Sequence, residues 1–325
     1  MKPVRLAICV NPMSGRDVRR LAARATNMTH EAKRDTVARV AAGAEAVGVT
    51  DIYIAREPFR IATLALSYMN LKAKVHVVEH PLANNASDTE AAMAAYLEAG
   101  CDTVVSLGGD GTNRAITRAA PDINLIALST GTNNVFPQLL EPTIGGMVAG
   151  LAAAGRLPRA ELARRAKVLR LRFSDGSADV GLIDAAQLRD DFVGNFLPFD
   201  AGKLARILLT RAEPDSVGMS PIGGFVDPVS AADDFGLLLE MGPGRTFQAP
   251  LSPGLFREVS VASHTRIPLG LPVMFQGPGV LALDGDRDHK LGAGLSAQIA
   301  IERNGPWAFD IPAAMRHAVR EGMIG

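Results

Sequence analysis

Ser106-Leu107-Gly108-Gly109-Asp110-Gly111-Thr112-Asn113-Arg114 reads as the end of a buried strand, a glycine turn and the start of a helix, and that reading decides the fold. The residues leading into it, Asp102 to Leu107, form a Val-rich apolar run of the kind carried by a parallel strand covered on both faces. From Asn113 onward, Ala115, Ile116 and Ala119 fall at helical spacing. Strand, glycine turn and helix N-terminus in that order aim backbone N–H groups and the positive end of a helix dipole at an anion, of which phosphate is the usual one. Asp110 is out of place in a purely anion-binding loop. A carboxylate repels phosphate unless a divalent cation lies between them or the acid has a proton to accept. The combination points to phosphoryl transfer, in which metal bridging and orientation of a hydroxyl are the main tasks. The plainer alternative is a tight turn in which Asp110 caps the following helix.

Working outward, strands are expected at Val4 to Val10, Asp51 to Ala55, Lys74 to Glu79, Asp102 to Leu107 and Asn124 to Leu128. Helices fit between them at Thr29 to Val47, Arg60 to Met69, Asp88 to Ala99 and Asn113 to Ala119, with apolar residues three and four apart. Ser87, with Glu90 three positions later, has the pattern of a capping box. Alternation of this kind implies a parallel, doubly wound sheet. Ligands of such sheets bind beyond the carboxyl ends of the strands. Two further loops at that edge are rich in small polar residues. Asn11, Pro12, Met13, Ser14 and Gly15 follow the first strand; Ser129, Thr130, Gly131, Thr132, Asn133 and Asn134 follow the fifth. Turn chemistry favours the same residue types, but three such loops on one edge argue for a shared nucleotide crevice.

The character changes near residue 155. Gly155 to Lys167 is basic, and its arginines read most simply as a solvated face, with an anion or subunit contact as the alternative. Val168 to Phe173 alternates Leu with Arg as a half-exposed strand, and Asp175-Gly176 marks a hairpin into a strand through Val180 and Ile183. Further strands fit Phe235 to Met241, Glu258 to Ser263, Val280 to Leu283 and Leu295 to Glu302. One helix is expected at Ala201 to Arg211, burying Leu204, Ile207 and Leu208. Val280 to Leu283 runs into Asp284-Gly285-Asp286. An Asp-Gly pair between apolar runs is a hairpin signal, and its carboxylate is also a candidate to complete a metal or base site with Asp110 across the cleft between the two halves.

Composition narrows the classes. The 325 residues are 47% apolar and 21% charged, ample for buried cores, and 34 basic residues balance 34 acidic ones. No global field recruits nucleic acid or an anionic membrane, so neither is an expected partner. The apolar run Leu6 to Val10 is too short for a signal-peptide core, and no stretch is long enough to insert stably in a membrane. Cys9 and Cys101 lie on or beside predicted buried strands without paired spacing, which fits a cytoplasmic protein. Gly202-Lys203 lacks the rest of a Walker A loop, and the Gly292 to Ala297 run has no helix behind it to make a dinucleotide fingerprint. The six histidines share no ligand spacing.

Together, Gly108 to Thr112, Asn11 to Gly15, Gly131 to Asn134 and Asp284 to Asp286 resemble the superfamily of ATP-dependent NAD kinases and diacylglycerol kinases. More narrowly, Asn11 to Arg20, Ala86 to Thr89 and Ser129 to Pro137 resemble its acetoin-catabolism protein X branch. The resemblance implies a Rossmann-like N-terminal domain over residues 1–155, to which 313–325 return through a helix at Ala313 to Glu321. It also implies a β-sandwich acceptor-binding domain over 156–312, with ATP and Mg2+ as cofactors. By matching positions, Asp110 is the catalytic and metal-associated acid, and Asp284 and Asp286 are further catalytic acids. Gly108, Gly109, Gly111, Thr112 and Asn113 hold nucleotide phosphates. Asn11, Ser14, Gly15, Thr130, Gly131, Thr132, Asn133 and Asn134 line the nucleotide site.

Two departures stand out. The lipid kinases carry Asn-Asp after Gly-Thr-x and a later Asp-Gly-Glu, where this chain has Asn133-Asn134 and Asp284-Gly285-Asp286. The Asn paired with an acid that NAD kinases use to grip the acceptor nucleoside has no evident counterpart around Ile183 to Gln187. The expectation is a kinase of the NAD-kinase type with a small-molecule acceptor, NAD or similar, assembled as a homodimer. A lipid kinase is the second reading, on the apolar stretch Phe192 to Phe199, and a nucleotide-binding regulator without catalysis the third.

Overall fold

The five apolar runs of the first half form β1 (Arg5–Val10), β2 (Asp51–Ala55), β3 (Lys74–Val78), β4 (Thr103–Gly108) and β5 (Asn124–Ser129) in the computed structural model, which describes residues 3–15, 28–195 and 199–324. All five run parallel in the order β3-β2-β1-β4-β5. Every residue of β4 is buried, as its Val-rich sequence requires of a strand with helices on both faces. Alternation along β1 divides the core. Leu6 and Ile8 face α1 (His30–Ala46), α2 (Ile61–Ser67) and α5 (Pro142–Ala153). Ala7 and Cys9 face α3 (Ala86–Glu98) and α4 (Asp110–Ala119). The second cluster continues without a break into Val168, Val180, Leu182 and Ile183, so the two halves of the chain share a core. Both cysteines are free and buried.

The sheet is completed from the far end of the chain. β17 (Trp307–Phe309) pairs parallel to β5, and β6 (Ala163–Arg165) pairs antiparallel to β17, giving seven strands. α6 (Ile311–Arg320) then buries Ile311, Ala314 and Ala318 against α5 and its neighbours.

Between these segments lie two antiparallel sheets. β12 (Leu255–Pro268), β11 (Phe235–Ser252), β10 (Leu204–Leu209), β9 (Asp184–Leu188), β14 (Gly279–Leu283) and β15 (Asp286–Leu291) form one in that order. β13 (Pro272–Gln276), β16 (Ser296–Glu302), β7 (Val168–Phe173) and β8 (Ala178–Gly181) form the other. Leu171, Phe275 and Ile299 of the smaller sheet meet Ala185, Leu208 and Leu283 of the larger. The architecture is an α/β parallel sheet joined to an antiparallel β-sandwich.

Some expectations are corrected. Ala201 to Arg211 is not a helix: a single 3-10 turn at Ala201–Lys203 leads into β10. Leu204, Ile207 and Leu208 satisfy helical spacing, yet Leu208 packs into the sandwich while Leu204, Ile207 and Leu209 pack on the opposite face of the sheet. Burying side chains of that size is worth roughly 1.5–3 kcal/mol each, and a six-residue strand covered on both faces buries more of them than a short helix could. α3 is capped by Asn85, whose Oδ1 accepts from the Ser87 backbone N–H and hydroxyl, so the capping role falls two residues before Ser87. The basic Gly155 to Lys167 stretch is only partly a solvated face. Lys167 is buried and donates from Nζ to Ser230 O and Phe235 O, at 3.0 and 2.7 Å. In the Phe192 to Phe199 stretch, Phe196 and Leu197 lie outside the described residues, as do residues 16–20 of the Asn11 to Arg20 motif. Among the described residues no helix is long and apolar enough to cross a membrane.

Candidate functional site

Strand β1 has β2 on one side and β4 on the other, so the strand order reverses there, and the loops after β1, β4 and β5 surround the reversal. Side chains tie the three loops together. Asn11 Nδ2 donates to Thr112 Oγ1 at 2.8 Å, while its Oδ1 accepts from the Met13 and Ser14 amides. Ser14 Oγ lies 2.7 Å from Thr130 Oγ1, and the Thr130 amide donates to Gly108 O. Lys33, absent from the candidates named by sequence, holds the first loop from below. It is wholly buried on α1, and Nζ donates to the carbonyls of Asn11, Pro12 and Ser14, each at 2.8 Å. Three carbonyls match the three N–H bonds of an ammonium, which is what permits so buried a lysine. Its sequence signal was a Lys four residues before Val37, in phase with the apolar face of α1.

Asp110 opens α4 as its first residue, and Gly109 is the cap, making no side-chain cap bond. The carboxylate turns instead to the loop after β5, accepting from the Val135 amide at 3.0 Å and the Phe136 amide at 2.9 Å. Burial, with the Asp284 charge adding, pushes the Asp110 carboxyl up to about 7, against the opposing pull of the two amides and Arg211. Asn113 locks the turn: its Oδ1 accepts from Ser106 Oγ at 2.6 Å and its Nδ2 donates to Gly109 O at 2.8 Å. The glycine and Gly-Thr-x-Asn loops nearly touch. A Cβ on Gly131 would stand 2.8 Å from Gly109 Cα and 2.4 Å from Asn134 Oδ1, closer than any real side chain comes. Asn134 Nδ2 donates to Ser129 Oγ, and Asn133 Nδ2 to Leu251 O in the second half of the chain. The Oδ1 atoms of both asparagines are buried without a hydrogen-bond partner.

Facing these loops is the β14–β15 turn, where Asp284 and Gly285 have φ of +50° and +89°, the left-handed pair of a two-residue hairpin. The Asp284 carboxylate accepts from the backbone amides of Leu182, Ile183 and Asp184, at 2.8, 2.6 and 3.2 Å. Burial raises its pKa, with Arg114 and these amides opposing. Arg114 stood in the opening motif without an assigned role, and it is the link between the halves. From α4 its Nη1 donates to Leu283 O, its Nη2 to Asp286 Oδ2 at 3.3 Å and Asp288 Oδ2 at 2.6 Å, and its Nε lies 3.9 Å from Asp284 Oδ2. Burial disfavours the charged guanidinium, but the three carboxylates outweigh it and move its pKa further up.

Asp184, at the start of β9, is an acid that sequence reading missed, in the very segment where no acceptor residue was evident. It is 6% exposed, and its Oδ1 is buried with no hydrogen-bond partner. Burial first, then the charges of Asp284 and Asp110, hold its carboxyl well above the usual carboxylate range, with Arg114 opposing. A lone Asp after Leu-Ile carries no local signal; only the sheet brings it opposite Asp110.

The two sets of loops enclose a cleft of about 630 Å³. Asn11, Ser14, Gly15, Gly109, Asp110, Gly111, Thr112, Gly131, Thr132, Asn133, Asn134, Asp284 and Asp286 all line it, joined by Arg114, Asp184, Glu57, Phe59, Phe199 and Met219. Gly108, Asn113 and Thr130 stand behind the wall and hold its shape. The donor chemistry fits a phosphate chain: a ten-residue helix opens on the cleft with no side chain capping its first N–H groups. A metal centre made by protein alone does not fit. Among the described residues no group of three or more His, Cys, Asp or Glu side chains is arranged to hold an ion. Magnesium characteristically takes one or two carboxylates and completes its shell with water and substrate phosphates.

Comparison with known proteins agrees with this layout. Residues 7–153 match the family model of the ATP-NAD kinase N-terminal domain, and residues 167–304 that of the acetoin catabolism protein X C-terminal domain. Two solved diacylglycerol kinase structures from Bacillus anthracis str. Sterne, one described as putative, align over 96 and 97% of this chain and 99% of each of theirs. Identities are 12 and 11% and TM-scores 0.43 and 0.48, too low to support an argument. Acetoin catabolism protein X of Cupriavidus necator is 30% identical over 335 aligned positions, covering 98% of this chain and 93% of that protein. With both halves of the chain and nearly its whole length matched, the protein belongs to the acetoin catabolism protein X family.

Proposed function

We propose that the protein is an ATP-dependent phosphotransferase of the NAD-kinase type, moving the γ-phosphoryl group to a hydroxyl of NAD or a related small acceptor in the service of acetoin catabolism. The observation that carries this reading is the uncapped N-terminus of α4, bearing Asp110, at a strand-order reversal and opposite a second-domain wall of carboxylates. In it, the first-turn amides of α4 and the backbone at Gly109, Gly111 and Thr112 cradle the phosphates. Asn11, Ser14, Gly15 and the Gly131 to Asn134 loop bound the nucleotide, and the unpaired Oδ1 atoms of Asn133 and Asn134 receive its hydroxyl or amino hydrogens. Asp110, held by two amides, fixes the spacing of the two loops and is the carboxylate to which magnesium bound with the nucleotide would attach. Magnesium, when bound, supplies neutralisation of charge on the transferring group. The acceptor hydroxyl lies against the second-domain acids, where water is excluded and the proton has somewhere to go.

A lipid-kinase reading is favoured by one observation: Phe192 and Val193 are 63 and 46% exposed, on the segment that leads to Phe199 in the cleft wall. Transfer of label from ATP across NAD, NADH, acetoin-type diols, sphingoid bases and diacylglycerols separates the two. Label on a soluble acceptor and its loss in Asp110→Asn, with the fold retained, is the expected result. Full transfer by Asp110→Asn sinks the role given to Asp110, and ATP binding without transfer to any acceptor leaves a nucleotide-responsive regulator. A homodimer in the cytoplasm is the assembly we expect.

A further inference from the structure

Five aspartates among the described residues line the cleft, and four of them are already occupied. Asp88 is bonded to the amides of Ala83 and Asn84, Asp110 to those of Val135 and Phe136, Asp284 to those of Leu182, Ile183 and Asp184, and Asp286 to Arg114. Asp184 differs. Its residue is more than nine-tenths buried, it lines the cleft, and its Oδ1 has no partner. A buried carboxylate oxygen left unpaired costs free energy that no contact within the protein returns, so its position is explained by something it meets only when the cleft is filled. Backbone on both sides fixes it: the Asp184 amide donates to Asp284 Oδ1 and its carbonyl accepts from the Asp284 amide at 3.1 Å. Asp284 is thus a bracket for the residue beside it.

We propose that Asp184 is the carboxylate that accepts the hydrogen of the acceptor hydroxyl during phosphoryl transfer, a task for which the sequence offered the Asp284-Gly285-Asp286 turn together with Asp110 as a metal or base site. The assignment rests on the kinase reading. As the acceptor oxygen bonds to the γ-phosphorus, the bond from that phosphorus to the β-bridging oxygen breaks, the diphosphate leaves, and the hydroxyl proton passes to Asp184, which later releases it to solvent. The charged groups facing Asp184 are Asp110 and Arg114 from α4 and Asp284 and Asp286 from the β14–β15 turn, with Arg211 beyond Asp110. Burial and three carboxylates against the one guanidinium close by raise the affinity of Asp184 for a proton, which suits a carboxylate placed to receive one, and cations entering with the nucleotide would counter that bias.

The test compares wild type with Asp184→Asn, using labelled ATP and the acceptor panel above. The variant is expected to lose at least about 100-fold in kcat while its affinity for ATP, measured by calorimetry, is unchanged. A rise of kcat/KM with pH is expected in wild type and should flatten in the variant. The melting temperature should stay level or rise, because the substitution alters a buried carboxyl whose Oδ1 bonds to nothing. Asp184→Glu should recover part of the rate. Wild-type transfer retained by Asp184→Asn overturns this assignment and leaves the kinase reading standing; absence of transfer by wild type to every acceptor removes both. A variant that melts several degrees lower or does not fold overturns the assignment also, since a carboxylate without internal bonds has no fold to hold.

Discussion

Asp110-Gly111 and Asp284-Gly285 are the same dipeptide in two settings, and their difference shows what the dipeptide alone does not say. The first starts a helix and sends its carboxylate outward to the next loop; the second turns a hairpin and folds its carboxylate back on the neighbouring strand. Asp110 sits at the cleft with no ion pair among the described residues, Arg211 acting only from further off, and burial lifts its carboxyl to about 7. Asp284 has Arg114 3.9 Å away and three amides on its two oxygens. One is poised between charged and neutral forms, whereas the other is structural. The carboxylate with spare capacity, Asp184, belongs to neither motif.

The comparison can be broken most forcefully at Arg114. Arg114→Ala strands three carboxylates and should cost roughly 3–5 kcal/mol in urea unfolding; a loss below about 1 kcal/mol would mean that the second-domain acids do not depend on it. Next comes the pH behaviour of Asp110. Its carboxyl titrates near 3.8 when unfolded and about 7 when folded, so between those values the unfolded chain has released a proton that the folded protein keeps. Stability from this residue therefore falls as pH rises through that window, by about 1.4 kcal/mol per unit at the limit, and levels off above it. The melting temperature of Asp110→Asn relative to wild type should climb from pH 4 to 7; a flat difference contradicts the raised value. Gly131→Ala comes third. Its Cβ would press on Asn134 and Gly109, for roughly 1–3 kcal/mol of destabilisation and weaker ATP binding, measured by thermal melts and titration. Arg56→Ala is the smallest effect. Its pair with Glu79 is 60 and 65% exposed, and the change should stay within about 0.5 kcal/mol, checked by urea unfolding.

Legibility follows the same division. The first five strands could be read because parallel strands between helices are apolar throughout, and the loops after β1, β4 and β5 announced themselves by Gly, Asn, Ser and Thr at strand ends. β10 was misread because Leu204, Ile207 and Leu208 satisfy helical and buried-strand patterns alike. β15 was missed because Asp286-Arg287-Asp288-His289-Lys290 looks like a solvated turn, whereas Arg287 is buried against Asp191 at 2.8 Å. β17 has three residues, too few for any period. In the cleft, residues inside motifs were found. Lys33, Arg114 and Asp184 owe their importance to partners 19 or more positions away, and spacing along the chain does not encode such meetings.

The interleaving of the parallel sheet with the sandwich also governs how the polypeptide matures. β5 has no outer neighbour until Trp307–Phe309 arrives, and β6 can pair only with that late strand, so during synthesis the parallel sheet must wait, one flank open, while some 140 intervening residues leave the ribosome. A chaperone guarding that exposed margin would have its work set by chain order, and a nick in either crossing would leave two fragments still clasped rather than two free domains.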